Sequence, residues 1–373
     1  DRETSPLVEQ ISQGFIYSDC WVDDSKLVVL NAIQAAEKGA IIHTQTRCLS
    51  LTTHQGLWVA TLQDANTQKT FEVTAKAVVN ATGPWAQQFF EQTLKITSPR
   101  KTRMIKGSHL VCKNPIQQKD AYILQNEDKR IVFVIPYLDD YCIIGTTDKE
   151  YKGDVRQIKI DEDETDYLLN VYNAHFKQKL TRRDILSDYA GVRPLCDDES
   201  NDPSAITRDY TLELTEIDRL PMITVFGGKL TTYRKLAEAA LVKLSPFFPK
   251  MGARWTHQSQ LPGATDETID SLKSRVQQRH PWLPEQLLSR WIRQYGARTQ
   301  EMIANADSIE ALGEHFGSGL YAKEVEYLIE KEWAKTVDDV LARRVRFRLI
   351  AAPVDELRLK QWMQEKIAHT PCA

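Results

Sequence analysis

Residues 226–234 read Phe-Gly-Gly-Lys-Leu-Thr-Thr-Tyr-Arg, and this stretch decides the predicted fold class. A β-rich run ends just before it, and a helix is predicted over 231–244 because Leu236, Ala240 and Leu244 share one face. The paired glycines free the backbone between strand and helix. The helix start presents unpaired N–H groups and a positive dipole end, to which Lys229 adds a cation. We interpret this as an α/β connection that can hold the electron-rich edge of a ligand. A plain connection with a solvated lysine explains the residues equally well.

A second strand end precedes it in the chain. Residues 77–81 predict a buried strand that stops at Thr82 and Gly83, before an aromatic helix start at Trp85. A backbone without a β-carbon at Gly83 lets a flat cofactor such as a flavin approach closely. An ordinary sheet-end turn explains the same residues, and taken alone it is the simpler interpretation.

Two arginines and one histidine stand beside apolar runs. Arg193 and Arg208 are costly to bury without an anionic partner. That partner is either a substrate phosphate held by the planar guanidinium or an acidic neighbour such as Asp197 or Asp209. His109 lies in a strand-like run and is a candidate general base, although a lone histidine on a strand is more often structural.

Composition excludes several classes of protein. The net charge of −3 argues against a general nucleic-acid binder, and no run of about 18 apolar residues predicts a membrane-spanning helix. The six cysteines form no C-x-x-C pair and the eight histidines no i, i+4 pair, which predicts reduced thiols in the cytoplasm and no metal. Gly-x-Ser-x-Gly is absent, so hydrolase chemistry has no support.

The rest of the chain predicts a mixed α/β protein followed by helices. A helix over 23–40 leads into a strand at 40–44, and 56–62 with 69–75 predicts an antiparallel pair. Strands are predicted at 107–111, 121–125, 130–136 and 141–145, and a helix at 167–176. Beyond residue 252 the sequence turns helical and charged, with helices over 284–296 and 323–347.

Read together and in order, nine segments resemble bacterial aerobic, FAD-dependent and quinone-linked glycerol-3-phosphate dehydrogenases. Shorter versions of a few of them occur in flavin amine oxidases, so the combined set is the specific signal. The segments are 17–24 (Tyr-Ser-Asp-Cys-Trp-Val-Asp-Asp), 80–85 (Asn-Ala-Thr-Gly-Pro-Trp), 105–109 (Ile-Lys-Gly-Ser-His), 122–126 (Tyr-Ile-Leu-Gln-Asn), 130–136 (Arg-Ile-Val-Phe-Val-Ile-Pro), 144–148 (Ile-Gly-Thr-Thr-Asp), 191–195 (Gly-Val-Arg-Pro-Leu), 206–210 (Ile-Thr-Arg-Asp-Tyr) and 226–234.

The resemblance implies the domain organisation. Residues 1–92 and 204–250 would be the remainder of a Rossmann-like FAD-binding domain, interleaved with a mixed-sheet substrate domain over 93–203. Residues 252–373 would form a helical C-terminal domain.

The resemblance also implies a reaction. The C2 hydrogen of sn-glycerol 3-phosphate would pass as hydride to FAD, giving dihydroxyacetone phosphate, and ubiquinone at the inner-membrane surface would take the electrons. His109 and Arg193 would be the catalytic residues, and Arg193, Arg208 and Lys229 would bind the phosphate. A peripheral position on the cytoplasmic side and a homodimer are compatible with the resemblance, and no nucleic-acid partner is expected. The implied flavin contacts are Ala81, Thr82, Gly83, Trp85, Gly228, Lys229, Leu230 and Thr231.

Three alternatives stay open at this point. The first is an oxidase that uses oxygen on the same substrate, and the second is a related flavin amine oxidase. The third is a non-catalytic fragment that cannot hold FAD: the sequence opens on a polar connector and contains no Gly-x-Gly-x-x-Gly, so we expect residues 1–373 alone to bind FAD weakly or not at all.

A basic helical segment bears on the membrane expectation. Residues 343–348 (Arg-Arg-Val-Arg-Phe-Arg) mix cations with apolar residues, which suits an anionic lipid surface. A solvated helix face with salt bridges is the alternative interpretation.

Overall fold

The computed structural model describes residues 5–116, 119–138, 140–196 and 209–369. The chain forms two compact units. The sheet unit comprises Asp1–Phe15 and Gln45–His257, and the helical unit comprises Ile16–Thr44 and Gln258–Ala373.

Strands and helices follow one another in an α/β order, as predicted. The strands are β1 Thr46–His54, β2 Leu57–Asp64, β3 Thr70–Ala75, β4 Val78–Asn80, β5 Thr102–Lys113, β6 Tyr122–Gln125, β7 Ile131–Tyr137, β8 Tyr141–Gly145, β9 Lys149–Glu150, β10 Ile185–Cys196, β11 Thr211–Ile217 and β12 Leu220–Phe226. The helices are α1 Asp24–Glu37, α2 Ala86–Gln88, α3 Glu162–His175, α4 Tyr233–Leu244, α5 Ile269–Arg279, α6 Glu285–Tyr295, α7 Arg298–Met302, α8 Ala322–Glu332 and α9 Glu356–His369.

The largest sheet has the strand order β10-β5-β8-β7-β6, with β9 beside β5. One face packs on α3, where Leu110, Val134 and Ile144 from the strands meet Leu168 and Tyr172. The α3 helix begins earlier than predicted, because a capping box formed by Asp161 and Glu164 satisfies its first N–H groups. The strands predicted around residues 107–145 are confirmed, and β5 pairs antiparallel with β10 and β8.

Two smaller sheets complete the sheet unit. The β1, β2 and β3 strands form an antiparallel meander, which confirms the predicted pairing of 56–62 with 69–75. In the other sheet β12 lies between β11 and β4, and only the β12–β4 pairing is parallel. Because β4 and β12 are parallel, the turns that follow them emerge at the same sheet edge.

The helical unit has its own apolar core. The stripe predicted for residues 284–296 is confirmed, since Leu288, Trp291 and Ile292 of α6 are buried and Gly296 ends the helix with a φ of 56°. The single helix predicted over 323–347 is wrong. The α8 helix ends at Glu332, its C-cap residue Trp333 has a left-handed φ of 54°, and a short π-helix follows at Asp339–Arg344. An apolar stripe can thus continue through two separate helices.

The first helix belongs to the helical unit. Asp23 caps its N-terminus, because the Asp23 carboxylate accepts a hydrogen bond from the Lys26 N–H at 3.0 Å. The strand predicted at 40–44 is wrong, since no strand is assigned there and β1 begins at Thr46. The sequence predicted that residues 16–44 belong with a flavin domain, whereas compactness groups them with the C-terminal helices. The division into 1–92, 93–203, 204–250 and 252–373 stays a prediction about function.

A buried ion pair joins α1 to α8 within this unit. The Lys26 Nζ lies 2.7 Å from Glu332 Oε1, and the two side chains are only 8% and 1% exposed. Burial lowers the pKa of Lys26, while the attraction of Glu332 acts in the opposite direction. Removal of either charge therefore leaves the other buried, away from water and without a counter-charge.

We expect Glu332→Gln to lower the free energy of unfolding by about 3 kcal/mol, because Lys26 loses its buried counter-charge. Urea denaturation followed by tryptophan fluorescence measures this. The matched control is Glu285→Gln, whose pair with Lys273 is largely exposed and should cost below about 1 kcal/mol. Replacing both partners, with Lys26→Met and Glu332→Leu, should restore most of the loss. Equal costs for Glu332→Gln and Glu285→Gln would contradict the assignment of α1 to this unit.

Candidate active site

The candidate catalytic residues lie on the face of the large sheet opposite α3. Successive strand residues point to opposite faces, so the register places cross-strand neighbours on one side. His109 faces Tyr189 on β10 and Gly145 on β8, and Gly107 faces Gly191. This face stays partly open, as Tyr189 is 40% exposed.

The His109 imidazole is held between two strands. A β-carbon built at Gly145 would lie 2.7 Å from His109 Cγ and 2.9 Å from its Nε2, so the ring covers this glycine. The Tyr189 ring stacks on the imidazole with a centroid distance of 4.6 Å and an interplanar angle of 6°. Within the described residues the buried Nδ1 has no hydrogen-bond partner. A buried ring nitrogen without a protein partner is unusual, and no hydrogen bond from this atom to a described residue orients the ring.

The protonation state of His109 follows from its surroundings. Burial, and to a smaller extent the positive charge of Arg193, lower the pKa of His109 to about 4. The imidazole is therefore neutral near pH 7 and can accept a proton.

Arg193 is anchored by the turn after β8. Its guanidinium donates to Asp148 Oδ1 at 2.8 Å and to Thr146 Oγ1 at 2.9 Å. The sequence suggested Asp197 or Asp209 as acidic neighbours, but Asp148 supplies the carboxylate seen in this ion pair, and Asp197 lies outside the described residues. The arginine side chain stays 32% exposed, so part of it faces solvent.

The arginine and the histidine lie close together on this face. A β-carbon at Gly107 would lie 2.9 Å from both terminal nitrogens of Arg193, which places the guanidinium over that glycine. Gly107 stands two residues from His109 on the same strand. At about 3.4 Å per residue, the backbone positions of Gly107 and His109 are roughly 7 Å apart, so the guanidinium over Gly107 and the imidazole of His109 are neighbours on this face.

A buried polar network on the α3 side fixes this arrangement. Lys106 Nζ lies 2.6 Å from Glu164, and Glu164 accepts a hydrogen bond from Thr147 Oγ1 at 2.7 Å. The same hydroxyl oxygen accepts from the Ser108 N–H at 3.0 Å. The network therefore holds the residue before Asp148 against β5.

Neither this network nor the role of Asp148 as the anchor of Arg193 was predicted from the sequence. The motif Gly-Thr-Thr-Asp at 145–148 was a signal for them, but without the register it is indistinguishable from an ordinary turn.

The two glycine turns lie at one edge of the smaller sheet. Gly83 follows β4 with a φ of 57°, and Gly227 and Gly228 follow β12 with φ of 73° and 110°. A β-carbon at Gly227 would lie 3.6 Å from the carbonyl oxygen of Pro194, which is the next residue after Arg193. The turns and the Arg193 strand are thus neighbours.

The predicted cofactor contacts at these turns are accessible. Ala81, Thr82 and Trp85 are exposed after β4, and Gly228, Lys229, Leu230 and Thr231 are exposed after β12. A short 3-10 turn at Leu230–Thr232 precedes α4, so the helix starts later than predicted. Exposed backbone at left-handed glycines, together with the unpartnered His109 Nδ1, fits a flat ligand with a polar edge such as FAD.

Arg208, the remaining residue predicted to bind the phosphate, lies outside the described residues. No group of His, Cys, Asp or Glu side chains is placed to hold a metal ion in the part of the chain that the structure describes. Across 5–116, 119–138, 140–196 and 209–369, no helix is both long and apolar enough to span a bilayer.

The basic segment 343–348 forms salt bridges within the helical unit. Arg346 lies 3.5 Å from Asp23, and Arg348 lies 2.7 Å from Glu356. The apolar Val345 and Phe347 are buried. These contacts match the alternative interpretation, and the segment does not present its apolar residues to a lipid surface.

Comparison with known proteins agrees with these features. The family described as FAD dependent oxidoreductase matches residues 1–234, and the C-terminal domain of alpha-glycerophosphate oxidase matches residues 254–361.

Individual relatives span most of the chain. A glycerol-3-phosphate dehydrogenase of Pseudomonas aeruginosa is 50% identical over 99% of this chain and 72% of its own length. A D-erythritol 1-phosphate dehydrogenase of Brucella abortus is 42% identical over 97% of this chain and 72% of its own length. The crystal structure of glycerol-3-phosphate dehydrogenase from Bacillus halodurans, complexed with FAD, matches with a TM-score of 0.78 and 25% identity, covering 94% of this chain and 70% of that one.

We expect Gly145→Ala to lower the free energy of unfolding by about 1–3 kcal/mol, because the new methyl group overlaps the His109 ring. The matched control is Gly191→Ala on the same face, where a β-carbon meets no other described atom within 4 Å and no loss is expected. Urea denaturation compares the two variants. Equal stability of both variants would show that the ring does not rest on Gly145.

Proposed function

Because this chain belongs to the family of FAD-dependent glycerol-3-phosphate dehydrogenases, we propose that it oxidises sn-glycerol 3-phosphate to dihydroxyacetone phosphate and delivers the electrons to ubiquinone. The observation that carries the proposal is a neutral imidazole at His109 and an arginine placed over Gly107, two residues away, on one open sheet face. A substrate with a hydroxyl and a phosphate on a short carbon chain can be bound by two such neighbouring groups.

FAD, when bound, supplies the two-electron acceptor for the hydride that leaves C2. The chain's own contribution is a backbone cradle. The turn at Ala81, Thr82 and Gly83 and the exposed backbone from Gly228 to Thr231 would hold the flavin, with Trp85 at the rim. Lys229 and the helix that follows favour negative charge at that edge.

His109 would take the proton of the C2 hydroxyl as the carbonyl forms. Its low pKa keeps the ring unprotonated at neutral pH, so no proton has to leave it before each turnover. The adjacent Arg193 disfavours the imidazolium, which would promote release of the proton afterwards.

Arg193 would clamp the substrate phosphate. Asp148 accepts a hydrogen bond from Nη1 of the guanidinium and Thr146 accepts one from Nη2, which fixes its plane, and the side chain remains one-third exposed. A fixed planar fork favours two parallel hydrogen bonds to phosphate oxygens. Arg208 and Lys229 would add charge to the same phosphate.

The proposal names one polyol phosphate as the substrate and a quinone as the electron acceptor. Both relatives described above are named for a phosphorylated polyol, and the three-carbon substrate is the one named for the relative with the higher identity. That relative is named a dehydrogenase, so an oxygen-using oxidase is not favoured. Ubiquinone as acceptor places the enzyme at the cytoplasmic face of the inner membrane. The values of kcat/KM for both polyol phosphates, with a soluble quinone as acceptor, test substrate and acceptor together.

We expect Arg193→Lys in the FAD-loaded enzyme to lower kcat/KM for sn-glycerol 3-phosphate about 10- to 100-fold, mainly through KM. Lysine keeps the charge but loses the fork that Asp148 orients. Steady-state kinetics measure the change.

The control for this experiment is Arg156→Lys. The Arg156 side chain is 72% exposed and pairs with Asp154, so its replacement should leave kcat/KM unchanged. An unaltered KM in Arg193→Lys would contradict the phosphate clamp.

A further inference from the structure

The orientation of the His109 ring depends on packing. Histidines at functional sites are commonly oriented by a hydrogen bond from one ring nitrogen to a carboxylate or a carbonyl oxygen. Here the buried Nδ1 has no such partner within the described residues. The two surfaces that bound the ring are the Gly145 backbone on β8 and the Tyr189 ring on β10.

The strand register brings these two surfaces to His109, and together they form a clamp on its imidazole. His109 is the direct cross-strand neighbour of both Tyr189 and Gly145, so the three residues form one row across β10, β5 and β8. The absence of a side chain at Gly145 lets the imidazole lie flat, and the parallel stack at 4.6 Å closes its other side. A rotation of the imidazole would break both contacts.

We propose that Tyr189 is a positioning residue that holds the His109 imidazole in one plane and keeps water from its face. The inference rests on the proposed role of His109 as proton acceptor. It assigns to Tyr189 a function through its ring face, so the hydroxyl group is dispensable.

The clamp also explains the charge state of the histidine. The titratable and charged groups that face His109 are Tyr189 and Arg193 from β10, with Asp148 behind the arginine. Burial is the main cause of the lowered pKa, and the charge of Arg193 is the second cause. Removal of the Tyr189 ring would hydrate one face of the imidazole, so the His109 pKa would rise from about 4 toward the value of about 6.5 of an exposed histidine.

The test is a pH titration of histidine ring signals by NMR in the FAD-loaded full-length enzyme. Histidine is labelled selectively, and His109→Asn identifies the His109 signal. In the parent protein and in Tyr189→Phe, the midpoint should lie below 5. In Tyr189→Ala it should rise by at least one pH unit, with kcat at least tenfold lower and the acidic limb of the pH–rate profile shifted upward.

Two further variants keep the result interpretable. Tyr189→Leu cannot stack on the imidazole and replaces Tyr189→Ala if the latter does not fold. Because leucine still covers part of the ring face, we expect an upward shift in the same direction but smaller than in Tyr189→Ala. Tyr151→Ala is the control, since the Tyr151 hydroxyl donates to the Asp154 carbonyl in the loop after β9. It should leave the His109 midpoint unchanged.

The outcomes separate the clamp from the proposed function. An unchanged midpoint in both Tyr189→Ala and Tyr189→Leu would overturn the proposal, as would a Tyr189→Phe variant that behaves like Tyr189→Ala. If His109→Asn turns over at the parental rate while Tyr189→Ala still shifts the midpoint, the clamp stands and the role of His109 as proton acceptor fails.

Discussion

The alternation of side chains along β5 is the constraint on which the site depends. Even-numbered residues such as Leu110 pack toward α3, while Gly107 and His109 point to the opposite, half-open face. A shift of register by one residue would exchange the two faces. The burial of apolar residues against α3 therefore also fixes where the imidazole points. The stability of the sheet and the position of the His109 side chain therefore depend on the same strand register.

The two faces of the sheet are joined by hydrogen bonds at its edge. Thr147 bonds Glu164 on the α3 side, and its neighbour Asp148 holds Arg193 on the open side. The buried Lys106 compensates the charge of Glu164, so that carboxylate is paired on the packed face. Any change that loosens α3 from β5 would also move the guanidinium over Gly107. The positions of base and cation are in this way coupled through the core.

The sequence predicted the elements well and the contacts between them poorly. His109, Arg193 and the turns at Gly83 and Gly228 were identified because their neighbours form local motifs. Asp148 as the partner of Arg193, and Tyr189 as the neighbour of His109, follow from strand register, which no local motif encodes. The break at Trp333 was missed for a similar reason, since an apolar stripe continues across it.

The central claim is that His109 accepts the substrate proton while FAD accepts the hydride. Its most direct test is anaerobic stopped-flow mixing of the FAD-loaded enzyme with sn-glycerol 3-phosphate, followed through the flavin absorbance. We predict rapid loss of absorbance in the parent enzyme and a rate about 100-fold or more lower in His109→Asn at equal flavin content. A parent enzyme whose flavin stays oxidised, or a His109→Asn variant that bleaches at the parental rate, would contradict the account.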